Sequence, residues 1–79
     1  MTTRVALVTG GASGIGRETC LALAADDRQV AVADINAAGA TETAELVRAA
    51  GGEAIAVTMD ITDSDSVMQG HLQTVDELG

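Results

Sequence analysis

The residues with the clearest chemical potential are three glycines that follow a short apolar run, Val5–Val8. Gly10, Gly14 and Gly16 lie within the next eight positions of the chain. A turn from a strand into a helix leaves backbone N–H groups free, and the helix dipole favours negative charge there. Glycine allows a close approach that any Cβ would block. The spacing predicts a cradle for a pyrophosphate, and a glycine-rich loop without a ligand is the plain alternative.

Each glycine has a separate expected role in this cradle. Gly10 is expected to serve the tight turn and Gly14 to let the backbone approach the phosphates. Gly16 is expected to let the helix pack on the sheet, and Ser13 can add a hydroxyl donor. A P-loop is excluded, because that motif requires a lysine and the chain has none.

Two acidic residues close the next two apolar runs. Asp34 lies 18 positions after Gly16, where the end of a second strand would lie beside an adenosine ribose. A carboxylate there accepts hydrogen bonds from both ribose hydroxyls and repels a 2′-phosphate, or it merely supports the helix that follows. Asp60 holds the matching place after the third run. It could accept from an adenine amino group or simply end the strand.

The elements that must position these residues alternate along the chain. Apolar runs predict strands over 5–8, 29–34 and 54–59, and helical spacing predicts helices over about 14–25, 37–50 and 63–78. The first run is typical of a strand buried on both faces in the middle of a parallel sheet. The order predicts an α/β fold, the first β-α-β-α-β-α half of a Rossmann-type doubly wound parallel sheet.

Cap and packing signals refine the three helices. Asn36 is a good N-cap for the second helix, and Gly51-Gly52 is a strong stop. Thr62 with Asp65 resembles a capping box at the start of the third helix, which Gly70 weakens by roughly 1 kcal/mol. The apolar stripes follow Ile15, Thr19, Ala22 and Ala25 in the first helix, with inward Ala40, Ala44 and Val47 in the second and inward Met68, Leu72 and Val75 in the third.

Composition excludes several classes of function. The net charge is −8, with 12 acids against 4 bases, so no basic patch for nucleic acid exists. No apolar run approaches the ~20 residues that cross a membrane, and the cytoplasm is the expected location. The single Cys20 excludes an internal disulfide and is expected to be a small buried side chain. His71 is expected on the surface, and no residues show a metal-ligand pattern.

The sequence resembles the short-chain dehydrogenase/reductase family at these residues. Thr9 to Gly16 matches that family's Thr-Gly-x-x-x-Gly-Ile-Gly turn at every fixed position, and Asp34 and Asp60-Ile61 follow strands two and three as in the family. The resemblance implies that Ser13, Gly14 and Ile15 contact the pyrophosphate, that Asp34 and the backbone of Ile35 hold the ribose, and that Asp60 and Ile61 hold the adenine. It implies a preference for NAD(H) over NADP(H), although the basic residue Arg17 adjoins the loop.

The same resemblance defines what these residues lack. The family's catalytic Ser, Tyr and Lys cannot all be present, because the chain has no Tyr and no Lys. Residues 1–79 are therefore expected to be the N-terminal part of a single dinucleotide-binding domain, truncated before strand four and inactive alone. The missing strand would leave Val5 to Val8 as an unpaired edge.

The complete protein is expected to be a homo-oligomeric, NAD-dependent oxidoreductase that interconverts a small alcohol and a carbonyl by hydride transfer. The alternatives are a non-catalytic, stand-alone nucleotide-binding module and another Rossmann enzyme, such as a protein similar to a sugar-nucleotide epimerase. Ile15 and the glycine spacing argue against the last.

Overall fold

The computed structural model describes residues 4–79, so the first three residues of the predicted 1–79 domain lie outside the described range. Strands and helices alternate strictly, which confirms the predicted order. The elements are β1 (Arg4–Thr9), α1 (Gly14–Ala25), β2 (Arg28–Asp34), α2 (Ala37–Ala49), β3 (Glu53–Thr58) and α3 (Ser64–Leu78).

The three strands form one parallel sheet in the order β1-β2-β3. The central strand β2 buries side chains on both faces. Val30 and Val32 pack in a cluster with α1 and α2 residues, whereas Ala31 and Ala33 belong to a second cluster that Leu78 of α3 joins. Helices thus cover both faces of the sheet, as in the first half of a doubly wound fold.

Helix α2 follows its sequence prediction closely. The Asn36 side chain accepts a hydrogen bond from the Gly39 N–H at 3.0 Å, as an N-cap does. The helix ends where the paired glycines predict, because Gly51 adopts a left-handed φ of 92° and the Gly52 N–H returns to the Val47 carbonyl. The predicted inner stripe is fully buried and consists of Ala40, Ala44 and Val47.

Helix α1 forms as predicted, but a different face of it packs on the sheet. Cys20 is fully buried, as expected, and burial raises the pKa of its thiol. A Cβ on Gly16 would collide with the Gly10 carbonyl oxygen. This contact at the first turn fixes the rotation of the helix, so the line through Gly16, Cys20 and Ala24 faces inward. The predicted stripe is exposed and consists of Ile15, Thr19, Ala22 and Ala25.

The predicted inner face of α3 is also wrong. Met68, Leu72 and Val75 are each more than half exposed, whereas Gly70 and Thr74 are buried. A Cβ on Gly70 would meet the end of the Met59 side chain and lie 3.1 Å from Val57 Cγ1. Gly70 is therefore the point of closest approach between α3 and β3, a role that its helix propensity alone does not predict.

The predicted capping box of α3 is replaced by a different cap. Asp63, rather than Thr62, is the N-cap residue, and its carboxylate accepts from the backbone N–H groups of Asp65 and Ser66 at 3.0 and 3.4 Å. The Thr62 hydroxyl instead donates to the Asp60 carboxylate at 2.7 Å. A carboxylate accepts from the free N–H groups of a helix start more strongly than a hydroxyl does, so Asp63 takes the N-cap position.

Strand β1 lies at an edge of the described sheet and not in its middle. Within residues 4–79 it pairs only with β2, and Val5 and Leu7 are 40% and 39% exposed. The prediction of a strand buried on both faces is therefore wrong for the described chain. The prediction that Val5 to Val8 form an unpaired apolar edge is confirmed.

Candidate functional site

The glycine loop and the ends of β2 and β3 meet at the carboxyl edge of the sheet. The Gly11 N–H donates to the Ala33 carbonyl at 3.1 Å, and the Met59 N–H donates to the Asp34 carbonyl at 3.1 Å. Parallel strands place all their carboxyl ends at one edge, which is where open α/β sheets bind ligands. The predicted site residues all lie at this edge: Gly10, Ser13, Gly14, Ile15, Gly16, Asp34, Ile35, Asp60 and Ile61.

The start of α1 differs from the starts of the other two described helices. Ser13 occupies its N-cap position in an extended conformation, but the Ser13 side chain makes no capping hydrogen bond. Asn36 and Asp63 cap α2 and α3 with their side chains. The first N–H groups of any helix lack intrahelical partners. At α1 those N–H groups remain available to an external acceptor, with the positive end of the helix dipole behind them.

The backbone of the loop provides room at this open helix start. Gly10 and Gly14 have left-handed φ values of 73° and 58°, which favour glycine at both positions. A Cβ on Gly14 would meet no atom within 4 Å, so the space beside it is open. The collision of a Gly16 Cβ with the Gly10 carbonyl brings the helix start tightly against the turn. These features fit a pyrophosphate placed against the Gly14 backbone.

Asp34 joins the loop to the end of β2. Its carboxylate accepts from the Asn36 N–H at 2.9 Å through Oδ1 and from the Ala12 N–H at 3.0 Å through Oδ2. These hydrogen bonds, with that of Asn36 the larger cause, hold the pKa of Asp34 below its ordinary value. Asp34 is therefore ionised at neutral pH and oriented at the carboxyl edge, and it also supports the start of α2 through Asn36.

Asp60 is held in a similar way at the end of β3. Its Oδ1 accepts from the hydroxyl and the N–H of Thr62 at 2.7 and 2.9 Å, and these contacts lower the pKa of Asp60. The Asp60 N–H is taken by the Ser66 hydroxyl at 2.8 Å. Beside the two acids, the Ile35 and Ile61 side chains are each 67% exposed. The edge thus combines two fixed carboxylates with accessible apolar surface.

Sequence reasoning missed residues that hold the loop in place. Ala12 is 5% exposed and contacts both Asp34 and the Arg17 side chain. Thr43, fully buried in α2, donates its hydroxyl to the carbonyl of Gly11. The sequence offered one signal for Thr43, which lies beside the inner stripe of Ala40, Ala44 and Val47. A buried hydroxyl needs a hydrogen-bond partner, so a threonine there indicates a contact outside the helix.

Two kinds of feature are absent from the described part of the chain. Among residues 4–79, no group of three or more His, Cys, Asp or Glu side chains is arranged to hold a metal ion. None of the helices described for this chain has both the length and the apolar character needed to cross a bilayer.

A parallel sheet with helices on both faces and an uncapped, glycine-rich helix start at its carboxyl edge defines a Rossmann-like α/β protein of the dinucleotide-binding class. The sequence profile of the short chain dehydrogenase family matches residues 4–79. The chain belongs to this family. It is 41% identical over 78 residues to L-2,3-butanediol dehydrogenase of Corynebacterium glutamicum, covering 96% of this chain and 30% of that protein.

Solved structures show the same arrangement of elements. A 3-ketoacyl-ACP reductase from Sinorhizobium meliloti superposes with a TM-score of 0.92 and 40% identity over 95% of this chain and 29% of that one. A short-chain dehydrogenase/reductase from Burkholderia phymatum, solved in complex with NAD, gives a TM-score of 0.89 and 28% identity over 94% and 26%. The chain spans between 26% and 30% of the length of these three relatives.

Proposed function

We propose that residues 1–79 bind NAD(H) as the dinucleotide-binding part of an oxidoreductase that interconverts an alcohol and a carbonyl. The observation that carries the proposal is the uncapped start of α1 beside Gly14, at the edge shared with Asp34 and Asp60. The similar short-chain dehydrogenase/reductase from Burkholderia phymatum was solved in complex with NAD, which supports a nicotinamide dinucleotide as the ligand class.

Each predicted residue has a role in this proposal. The N–H groups that follow Ser13 would face the pyrophosphate, and the Ser13 hydroxyl, which makes no capping bond, could donate as well. The Asp34 carboxylate would accept from the ribose hydroxyls, with the backbone of Ile35 beside it. Asp60 and Ile61 would hold the adenine, and the exposed Ile15 side chain would border the pyrophosphate site.

Two observations favour NAD(H) over NADP(H). Asp34 carries a fixed negative charge where the ribose 2′ position would lie, and that charge repels a phosphate. Arg17, the base nearest the loop, is already paired with the Glu42 carboxylate at 2.8 Å and bonded to the Ala12 carbonyl at 2.6 Å. Its guanidinium therefore has partners within the protein.

The bound nicotinamide would supply the hydride acceptor or donor for the reaction. The residues of this chain would bind and orient it, but a general acid/base must move the hydroxyl proton. The chain has no Tyr and no Lys, so we assign no catalytic residue within 1–79. A small alcohol or carbonyl as substrate and a homo-oligomeric assembly belong to the same proposal for the complete enzyme.

The test is a calorimetric titration of the protein that carries this sequence with NAD⁺ and NADP⁺. Gly14→Ala should weaken NAD⁺ binding by about tenfold, because a Cβ would occupy the open space and strain the left-handed backbone. Gly51→Ala is a matched control, since Gly51 also has a left-handed φ and open space around it but lies at the end of α2. Equal NAD⁺ affinity in wild type and Gly14→Ala would remove Gly14 from the binding site.

A second candidate is a nucleotide-binding module without catalysis, which would use the same carboxyl edge of the sheet. Oxidation of a panel of secondary alcohols, followed by NADH absorbance in the protein that carries this sequence, separates the two. Tight NAD⁺ binding without turnover of any alcohol or ketone would favour the module.

A further inference from the structure

Arg17, Glu42 and Thr43 form a cluster against the first half of the glycine loop, which we call the loop latch. The Arg17 Nε donates to Thr43 Oγ1 at 2.9 Å, its Nη2 donates to the Ala12 carbonyl at 2.6 Å, and its Nη1 pairs with Glu42 at 2.8 Å. The guanidinium therefore connects α1 to α2 and to the loop between β1 and α1.

The Thr43 hydroxyl has unusual hydrogen-bond partners for a buried threonine in a helix. Such a hydroxyl often returns to a carbonyl of its own helix, as Thr74 does to the Gly70 carbonyl at 2.8 Å. Thr43 is fully buried and instead donates to the Gly11 carbonyl at 2.7 Å while it accepts from Arg17. Both capacities of this hydroxyl are used outside α2, so its role lies in the loop.

Together these contacts satisfy all four backbone polar groups of Gly11 and Ala12. The Gly11 N–H and the Ala12 N–H donate to the Ala33 carbonyl and the Asp34 carboxylate, and the two carbonyls accept from Thr43 and Arg17. The next residue, Ser13, begins the uncapped helix start. The loop is thus fixed up to Ala12 and open immediately after it.

We propose that Arg17 and Thr43 are positioning residues for the dinucleotide pyrophosphate. By fixing the peptides of Gly11 and Ala12, they direct the N–H groups that follow Ser13 toward the phosphates before the ligand arrives. A loop that is ordered in advance loses less conformational entropy on binding, so affinity rises. This inference rests on the proposed function, which it extends by naming the residues that prepare the site.

The primary experiment replaces the Thr43 hydroxyl without changing the side-chain volume. Thr43→Val should weaken NAD⁺ binding by about five- to tenfold in calorimetric titration, the effect of losing a buried hydrogen bond. Thr43→Ser should restore binding, because it retains the hydroxyl. The matched control is Thr74→Val, which removes a buried helical hydroxyl that does not reach the loop and should leave NAD⁺ affinity unchanged.

The Arg17 half of the latch has its own matched pair. Arg17→Met should weaken NAD⁺ binding, whereas Arg28→Met should not. Their side chains are 27% and 26% exposed and each forms one ion pair, but Arg28 lies at the opposite end of β2 from the loop. NAD⁺ affinity of Arg17→Met within about twofold of wild type would overturn its positioning role.

Two readouts distinguish positioning from a general loss of stability. Amide hydrogen exchange in Thr43→Val should accelerate at Gly11 and Ala12 without a matching rise in β3. Adenosine, which lacks phosphates, should bind wild type and Thr43→Val equally by ligand-observed NMR. If Thr43→Val weakened the binding of adenosine and of NAD⁺ equally, or left amide exchange at Gly11 and Ala12 unchanged, the positioning role of the latch would be overturned. Failure of wild type to bind NAD⁺ would instead overturn the proposed function. In that case, hydrogen exchange at Gly11 and Ala12 would still test whether the latch orders the loop.

Discussion

At the scale of single residues, the site depends on where charge is fixed. The Asp34 carboxylate receives two backbone N–H groups, from Ala12 on the loop and Asn36 before α2. One side chain therefore joins two segments and presents a negative charge at the carboxyl edge. At the end of the neighbouring strand, the Asp60 carboxylate accepts from the N–H and the hydroxyl of Thr62. Both carboxylates are half-buried and hydrogen-bonded within the protein, so each is held in a fixed position at this edge.

Cofactor preference should change with the charge at these positions. Asp34→Ala combined with Ile35→Arg replaces a carboxylate with a cation beside the proposed site of the ribose 2′ position. The ratio of NADP⁺ to NAD⁺ affinity should rise by at least about tenfold, since a charge-assisted contact replaces a charge repulsion. Titration with both cofactors measures the ratio, with Ile35→Arg alone as the control for the added charge. Tighter binding of NADP⁺ than NAD⁺ by the unmodified protein would contradict the assignment.

The lowered pKa of Asp34 predicts a pH dependence of stability. Because the folded pKa lies below the ordinary value of 3.8, the ionised carboxylate stabilises the fold above that pH. This contribution is lost as the pH falls through the folded value. The difference in melting temperature between wild type and Asp34→Asn should be largest near neutral pH and should shrink below the ordinary value, as followed by circular dichroism. Glu45→Gln, on the exposed face of α2, controls for the change in net charge.

At the scale of elements, the three helix starts divide into two kinds. Asn36 and Asp63 accept N–H groups of their own helices, which stabilises α2 and α3. Ser13 occupies the same position at α1 without making that bond. Ser is a strong capping residue, so an unused Ser cap at the carboxyl edge of the sheet leaves the helix start available to a ligand.

Alanine substitutions at these caps should separate stability from binding. Asn36→Ala should lower the free energy of unfolding by about 1 kcal/mol, because it removes a cap bond. Ser13→Ala should leave that free energy nearly unchanged but weaken NAD⁺ binding several-fold, the effect of losing one hydroxyl donor. Urea unfolding and calorimetry on the same preparations measure the two quantities. A large loss of stability in Ser13→Ala would show that its hydroxyl serves the fold.

At the scale of the whole molecule, apolar surface is unevenly distributed. Strand β1 has one hydrogen-bonded neighbour in the described sheet, and Leu7 lines a groove with the apolar side chains of Ile61, Val67 and Met68. The exposed Leu72 and Val75 continue the apolar surface along α3. Unpaired strand edges beside apolar surface favour pairing with other chains.

A polypeptide of residues 1–79 should therefore associate in solution. Sedimentation velocity should show oligomers or aggregates whose share rises with concentration, and Leu7→Lys should reduce it by placing a charge on the edge. Leu46→Lys is the matched control, because Leu46 is 42% exposed against 39% for Leu7 but lies on α2. A monodisperse monomer with a sharp thermal transition would contradict the expectation and favour the stand-alone module.

The sequence by itself determined the element order, the carboxyl edge at which the candidate site residues lie, and the cap, end and inner apolar stripe of α2. Strong local signals account for this success. The glycine turn, the acids after the apolar runs, the Asn36 cap and the Gly51-Gly52 stop each act through nearby backbone, so they can be recognised without knowing the rest of the fold.

Only the tertiary structure decided which faces of α1 and α3 are buried and what holds the loop. In each helix, a glycine at a close contact sets which face is buried: Gly16 lies against Gly10, and Gly70 lies against Met59. These contacts override the face that the apolar spacing predicts. The latch joins residues 26 and 32 positions apart, Arg17 to Thr43 and Thr43 to Gly11. No local pattern encodes these pairs, because the hydrogen bonds exist only once α1, α2 and the loop have packed together.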